Sequence, residues 1–267
     1  MRTNFGLILA LTAAACALAA VVTGAHLTSA NSMPGLDLAL WKGLHRGLST
    51  AAAVSAIALA FNVSGPIRGW LIGSVVLAAV PGGLLEAKTA PGLAGLAHAV
   101  AASILTSVCA VAALQLSWRG EAATIVDEGS PSLKALARAT WIALLIQTAF
   151  GALYRHQILG LVPHVAGAML VMGMVMYAAI AAFSTEHAPP AVKRPALILM
   201  ILTGVQMLIG LGAYLYRIEF REQATGQAAM LTFTVTHVAV AALTTACSAL
   251  MGMQISRYVR PPAEVAQ

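Results

Sequence analysis

Residues 147–170 read QTAFGALYRHQILGLVPHVAGAML. An apolar stretch ends on Arg155 and His156, a tight connection holding Gly160 and Pro163 follows, and a second apolar stretch opens with His164 in its first turn. The pattern predicts two membrane-length helices that turn at one surface. A histidine one turn inside such a helix needs polar partners that lipid cannot supply, so its presence asks for a use. Arg155, at the end of the preceding helix, offers a planar cationic fork suited to carboxylates or phosphates.

The whole chain has the composition that this segment implies. Of its 267 residues 60% are hydrophobic and 9% charged, with a mean hydropathy of +0.86. That is the balance of a polytopic helical membrane protein. The length accommodates about eight spans of ~20 residues and leaves nothing for a sizeable soluble domain. A net charge of +6 would point to nucleic acid in a soluble protein. In an apolar chain it reflects basic loops on the cytoplasmic side, and no nucleic-acid partner is expected. Cys16, Cys109 and Cys247 each sit inside an apolar run and read as packing residues. The first run, Phe5–Val22, is longer than the apolar core of a signal peptide and is followed by a poor cleavage site, TSANS, so it reads as a retained helix.

Eight apolar runs can be marked: Phe5–Thr23, His45–Phe61, Gly69–Leu85, Leu93–Leu116, Ala139–Tyr154, Val162–Phe183, Leu197–Tyr216 and Leu231–Ile255. Their boundaries carry Gly, Pro and charge. The expected fold is all-α, with eight transmembrane helices in two repeated four-helix bundles. These are an N-terminal half (residues 1–117), a cytoplasmic linker (118–138) and a C-terminal half (139–267). Within the linker, Glu121, Asp127, Glu128 and the Gly-Ser-Pro that follows read as a solvated loop. With the N-terminus inside, nine Lys and Arg fall on the inner side and six on the outer, which places both termini in the cytoplasm.

Internal similarity supports the two halves. An offset of 127 residues sets Gly24 on Gly151 and Gly83-Leu84 on Gly210-Leu211, and one of 139 sets His98 on His237. The second offset also sets Gln115-Leu-Ser on Gln254-Ile-Ser, 17 residues after the histidine in each case. Both halves run in-out-in-out, so the repeat axis lies along the membrane normal.

Of seven histidines, His45, His98, His164 and His237 fall near the outer ends of the four even-numbered runs, and none falls inside an odd-numbered run. His26 and His156 are expected in outer loops and His187 in an inner one. A single such histidine most simply hydrogen-bonds a neighbouring helix. Four at one depth, in repeat-related positions, point to a ligand. Zinc would bring carboxylates or cysteines to the same depth, and these runs have none there. Haem iron takes two imidazoles, one on each face, which different helices can supply. Two pairs, one within each half, is the economical arrangement. Propionates near the outer surface could then meet Arg46, Arg155 and Arg217, which otherwise read as interfacial anchors.

The chain resembles the haem A synthase family of cytochrome oxidase assembly proteins over nearly its whole length. The resemblance rests on VVTG ending the first run, LHR opening the second and QTAFGALYRH ending the fifth. QMLIGLGAYLYR ending the seventh and THVAVAALTTA in the eighth extend it, and the order of the four histidines is its most specific feature. Gln147-x3-Gly151-x3-Arg155 and Gln206-x3-Gly210 resemble the family's glutamine–glycine pattern.

The resemblance implies that His164 and His237 hold a b-type haem as electron-transfer cofactor, with Gln147, Arg155, Arg46 and Arg217 around the haem sites. It implies that His45 and His98 line the site where substrate haem O is oxidised at a ring methyl to give haem A. It also implies a multi-pass protein of the bacterial cytoplasmic membrane, working in the lipid bilayer beside haem O synthase or subunits of a respiratory complex. Two features depart from the family. Lys42 stands where a glutamate is expected one turn before His45, and the segment from Gly24 to Leu44 lacks the cysteine pair of many members. A lysine adds repulsion where a reacting carbon becomes cationic. Asp37 or Glu86 could approach the same place from outside. Two competing functions remain open: a b-type haem protein acting in electron transfer or as a subunit of a respiratory complex, without methyl oxidation, and a small-molecule transporter with polar interfacial histidines.

Overall fold

Each apolar run becomes a helix longer than itself, because the flanking residues extend the backbone hydrogen bonding beyond the apolar stretch. The structure, a computed structural model, describes residues 2–30, 37–86, 91–118, 124–219 and 224–260. Its helices are α1 (Arg2–Ala30), α2 (Ala39–Ala60), α3 (Pro66–Glu86), α4 (Pro91–Ser117), α5 (Leu133–Arg155), α6 (Leu161–Ser184), α7 (Pro190–Glu219) and α8 (Ala224–Tyr258). All of these except α2 are long and apolar enough to cross a membrane, seven in number among the described residues. The chain is therefore a nearly all-helical, multi-pass membrane protein by length and composition. α2 has 22 residues but carries Lys42, His45 and Arg46 in its first two turns, which lowers its hydropathy.

Two buried apolar cores divide the helices. One comes from α1–α4 and is built largely of alanine (Ala10, Ala13, Ala17, Ala52, Ala56, Ala60, Ala112), with Leu59, Leu71 and Cys109 filling the gaps. The other comes from α5–α8, with Val175, Leu199, Met251 and Ile255 at its centre. Small side chains let helix backbones approach closely, and dispersion replaces the hydrophobic drive that lipid removes. The buried hydroxyls of Thr106, Ser107, Thr203, Thr244 and Thr245 satisfy themselves on carbonyls four residues back in their own helices. The two groups meet where α8 and α5 pack on α4, and where α1 packs on α8.

In the segment between α4 and α5, Glu128 to Pro131 are exposed, as expected of a solvated loop, but Asp127 is buried and the residues before it are held in the fold. Ile125–Val126 (β1) pairs in parallel with Val259–Arg260 (β2), tying this segment to the end of α8. Asp127 is buried at 7% exposure and accepts from the backbone N–H groups of Leu133 at 2.6 Å and Gly129 at 3.0 Å. Ser132 accepts from Ala135 N at 3.3 Å as the N-cap. Two side-chain acceptors at orphan helical donors start α5 at Leu133, ahead of its apolar run, so Lys134 and Arg138 are helical and not in a linker. Trp118 packs edge-on against Tyr258, and Arg257 lies over the Trp118 ring. Glu121 and Arg119 of the linker, and the outer cations Lys88 and Arg221, lie outside the described residues.

Candidate functional site

Backbone geometry sets the four even-helix histidines by one recurring device. In an α-helix, the residue four positions after a carbonyl lies directly beyond it, so a side chain there screens that carbonyl from outside approach. Glycine leaves the carbonyl open. His45 Nδ1 donates to Ala20 O at 3.0 Å and packs against Gly24, where a Cβ would sit 2.9 Å from its Cε1. His98 Nδ1 donates to Ala78 O at 2.9 Å and packs against Gly82, with the corresponding distance 3.2 Å. His237 Nδ1 donates to Gln206 O at 3.0 Å and packs against Gly210, at 2.7 Å. The fourth, His164, packs against Gly151 at 3.1 Å, but its Nδ1 lies 3.1 Å from the side-chain amide Nε2 of Gln147, four residues before that glycine.

A carbonyl can only accept, so three of these rings carry their proton on Nδ1 and their lone pair on Nε2. This is the arrangement in which a carbonyl behind the ring orients a metal-binding imidazole. The rings meet in twos. His45 and His98 have ring centroids 6.0 Å apart at 73°, and His164 and His237 have theirs 6.2 Å apart at 79°. Each pair comes from one helix group, and the two pairs lie toward the same end of the bundle. No cluster of three or more His, Cys, Asp or Glu suited to a metal occurs among the described residues.

The surroundings of the pairs differ. Around His164 and His237 stand two glutamines whose side-chain oxygens, Gln147 Oε1 and Gln206 Oε1, are buried without partners. Gln147 Nε2 also donates to His164 O at 2.8 Å, and its amide fits only because Gly167 has no side chain. Gln206 Nε2 approaches His237 Nε2 at 3.3 Å. The Tyr154 ring lies parallel to that of His164, and its hydroxyl accepts from Arg217 Nη1 at 2.9 Å, with that guanidinium over the Tyr154 ring. Around His45 and His98 the equivalent positions are Ala20 and Ala78. Thr23 Oγ1 adds a contact to His45 Nδ1 at 3.2 Å.

Arg155 does not stay within the C-terminal helices. It is half-buried and donates through Nη2 to Ala25 O and, at 2.9 Å, to Ser29 Oγ, both on α1. Its Nε has no partner. His156, the C-cap of α5, packs over Gly95 of α4, one turn before His98. Burial and the neighbouring Arg155 charge hold the His156 pKa below the ordinary histidine value. The end of α5 therefore clasps the N-terminal helices beside their histidine pair.

Every site residue expected from sequence can now be placed. Gln147 touches His164 directly. Lys42 is helical, because α2 starts at Ala39, and lies exposed one turn before the half-buried His45; Arg46 is also exposed. Asp37 is engaged at the start of α2, accepting from Ala39 N at 2.9 Å, and the side chain of Glu86 lies outside the described residues. His26, expected in a loop, lies in α1 and stacks on Trp41 at 3.8 Å, because α1 continues to Ala30. The repeat alignment chose Gly83, which faces open space; its neighbour Gly82 is the glycine under His98. Gln206, Thr23 and Tyr154 were missed as site residues, although the spacing Gln206-x3-Gly210 was the available signal for the first. No family model matches the chain, and no curated protein matches it.

Proposed function

We propose that this chain is a membrane haem protein of haem A synthase type, with a bis-histidine site in each of two repeated four-helix bundles. The observation that carries the reading is the pairing of the histidines. Each pair would bring two imidazoles, one from each of two helices, within reach of one haem iron. The two pairs stand at 6.0 and 6.2 Å, with their planes near perpendicular.

The residues present fit a haem. Nδ1 protons held by main-chain carbonyls direct the Nε2 lone pairs of His45, His98 and His237 to a ligand. At His237 the Gln206 amide must turn aside from Nε2, and its unpartnered oxygen loses nothing by doing so. For His164 to carry its proton on Nδ1 as well, the Gln147 side chain would have to swing away and give up its bond to His164 O. The buried Arg155 Nε supports an anionic partner such as a propionate, and Arg217 and Arg46 stand at the surface above. A bound haem would supply one-electron chemistry at its iron. The chain would hold the group through these imidazoles, and main-chain carbonyls set the tautomer of three of them.

In this reading His164 and His237 hold a resident b-type haem, and His45 and His98 bind haem O for oxidation to haem A. The alanines at positions 20 and 78 leave the second pair without the polar side chains that crowd the first. The protein sits in a bacterial cytoplasmic membrane with both termini inside and eight helices spanning, α2 included, and it works alongside haem O synthase or respiratory-complex subunits. One observation favours a non-catalytic b-type haem protein instead: Lys42 places an ammonium group above His45 where a carboxylate would assist methyl oxidation. The deciding experiment is extraction of haems from the purified full-length protein made in cells that supply haem O. Haem b with haem A supports the enzyme, haem b alone supports the second reading, and a colourless folded protein refutes both.

A further inference from the structure

At the end of the bundle opposite the histidines, α3, α4, α5 and α8 enclose an open-sided cavity of about 330 Å³ between the two helix groups. One wall is apolar, with Ile67 and Val111 facing it. The other carries Lys134 and Arg138, one turn apart on α5, together with Trp141 and Ser248. Lys134 and Arg138 have no acidic partner among the described residues, and no Asp or Glu lines the cavity. The Trp141 Nε1 is buried without an acceptor, and the Ser248 hydroxyl is buried without a partner at 0% exposure. All four polar groups can donate, and what they lack is an acceptor carrying negative charge.

We propose that this cavity binds one anionic phospholipid, its phosphate on Lys134, Arg138 and the Trp141 N–H and an acyl chain along Ile67 and Val111. Charge complementarity selects the headgroup, because an uncompensated pair of cations gains most from a phosphodiester. The apolar wall selects a lipid over free phosphate. Because the walls come from both helix groups, the lipid would bridge them on the face that the Arg155 clasp does not reach. The inference is independent of any haem.

The test is native mass spectrometry of the full-length protein, delipidated in detergent and titrated with phosphatidylglycerol or with phosphatidylcholine of the same chains. The wild-type protein should retain one phosphatidylglycerol and bind phosphatidylcholine at least tenfold more weakly. Lys134→Gln/Arg138→Gln should lose that preference. The charge-matched control Lys193→Gln/Arg194→Gln, at the start of α7, should keep it. Should the double variant fail to fold, Arg138→Gln alone serves, since Arg138 is exposed. Equal retention by variant and control, absence of a preference in the wild type, or displacement of the lipid by inorganic phosphate at equal concentration would each overturn the proposal.

Discussion

Gly210→Ala tests the device that positions the histidines. The new Cβ would lie 2.7 Å from His237 Cε1 and 3.0 Å from Nδ1. Carbon contacts settle at about 3.5–4.0 Å, so the ring must retreat by roughly 1 Å. That retreat stretches the 3.0 Å bond from Nδ1 to Gln206 O to about 4 Å, outside hydrogen-bonding range. The lost bond costs about 0.5–1.5 kcal/mol and the overpacking about 1–3 kcal/mol. Replacing glycine by alanine inside a helix returns about 0.8–1.0 kcal/mol. The net expectation is a destabilisation of about 0.5–3.5 kcal/mol, with the His164–His237 pair displaced from its present geometry. Gly83→Ala is the control, because a Cβ there meets nothing within 4 Å, and it should stabilise by up to about 1 kcal/mol. Unfolding in detergent and Soret absorption per protein measure the two effects separately. A Gly210→Ala protein as stable as Gly83→Ala, with unchanged absorption, would refute the account of how glycine seats the ring.

Replacing His164 or His237 by Ala should remove the tightly held haem, whereas replacing His45 or His98 should leave most of it; equal loss from all four would contradict the division of roles. Lys42→Glu should raise haem A formation from haem O, read by chromatography of extracted haems, and an unchanged or lower yield would place the reaction's proton acceptor elsewhere. Asp127→Ala should cost about 1–3 kcal/mol, because two backbone donors lose their acceptor; thermal unfolding at fixed detergent concentration measures it. His156 binds its proton less readily when folded than when unfolded, so its contribution to stability is present above the ordinary histidine pKa of about 6.5 and is lost as pH falls from there through the lowered folded value. His156→Gln should flatten that acid-side loss, and an unchanged pH profile would show that burial at Gly95 is not maintained.

The sequence by itself determined the helices. Apolar runs of membrane length have one outcome in lipid, because unsatisfied backbone groups cannot be tolerated there, and each run did become a helix. The i, i+4 spacing of Gln147 with Gly151 and of Gln206 with Gly210 already put amide and glycine on one helix face. Tertiary structure alone decided the rest. Asp127 starts α5 by reaching its backbone from a segment tied to the far end of the chain, and no local periodicity records that. The choice of Gly82 over Gly83 under His98 depends on which face of α3 packs against α4, which the repeat offset does not record. Arg155 reads from sequence as a fork for carboxylates or phosphates beside His164, yet its guanidinium crosses to Ala25 and Ser29. A long side chain at a helix end can reach any neighbour, and only the packing of α1 against the second helix group brings Ala25 O and Ser29 Oγ within its reach.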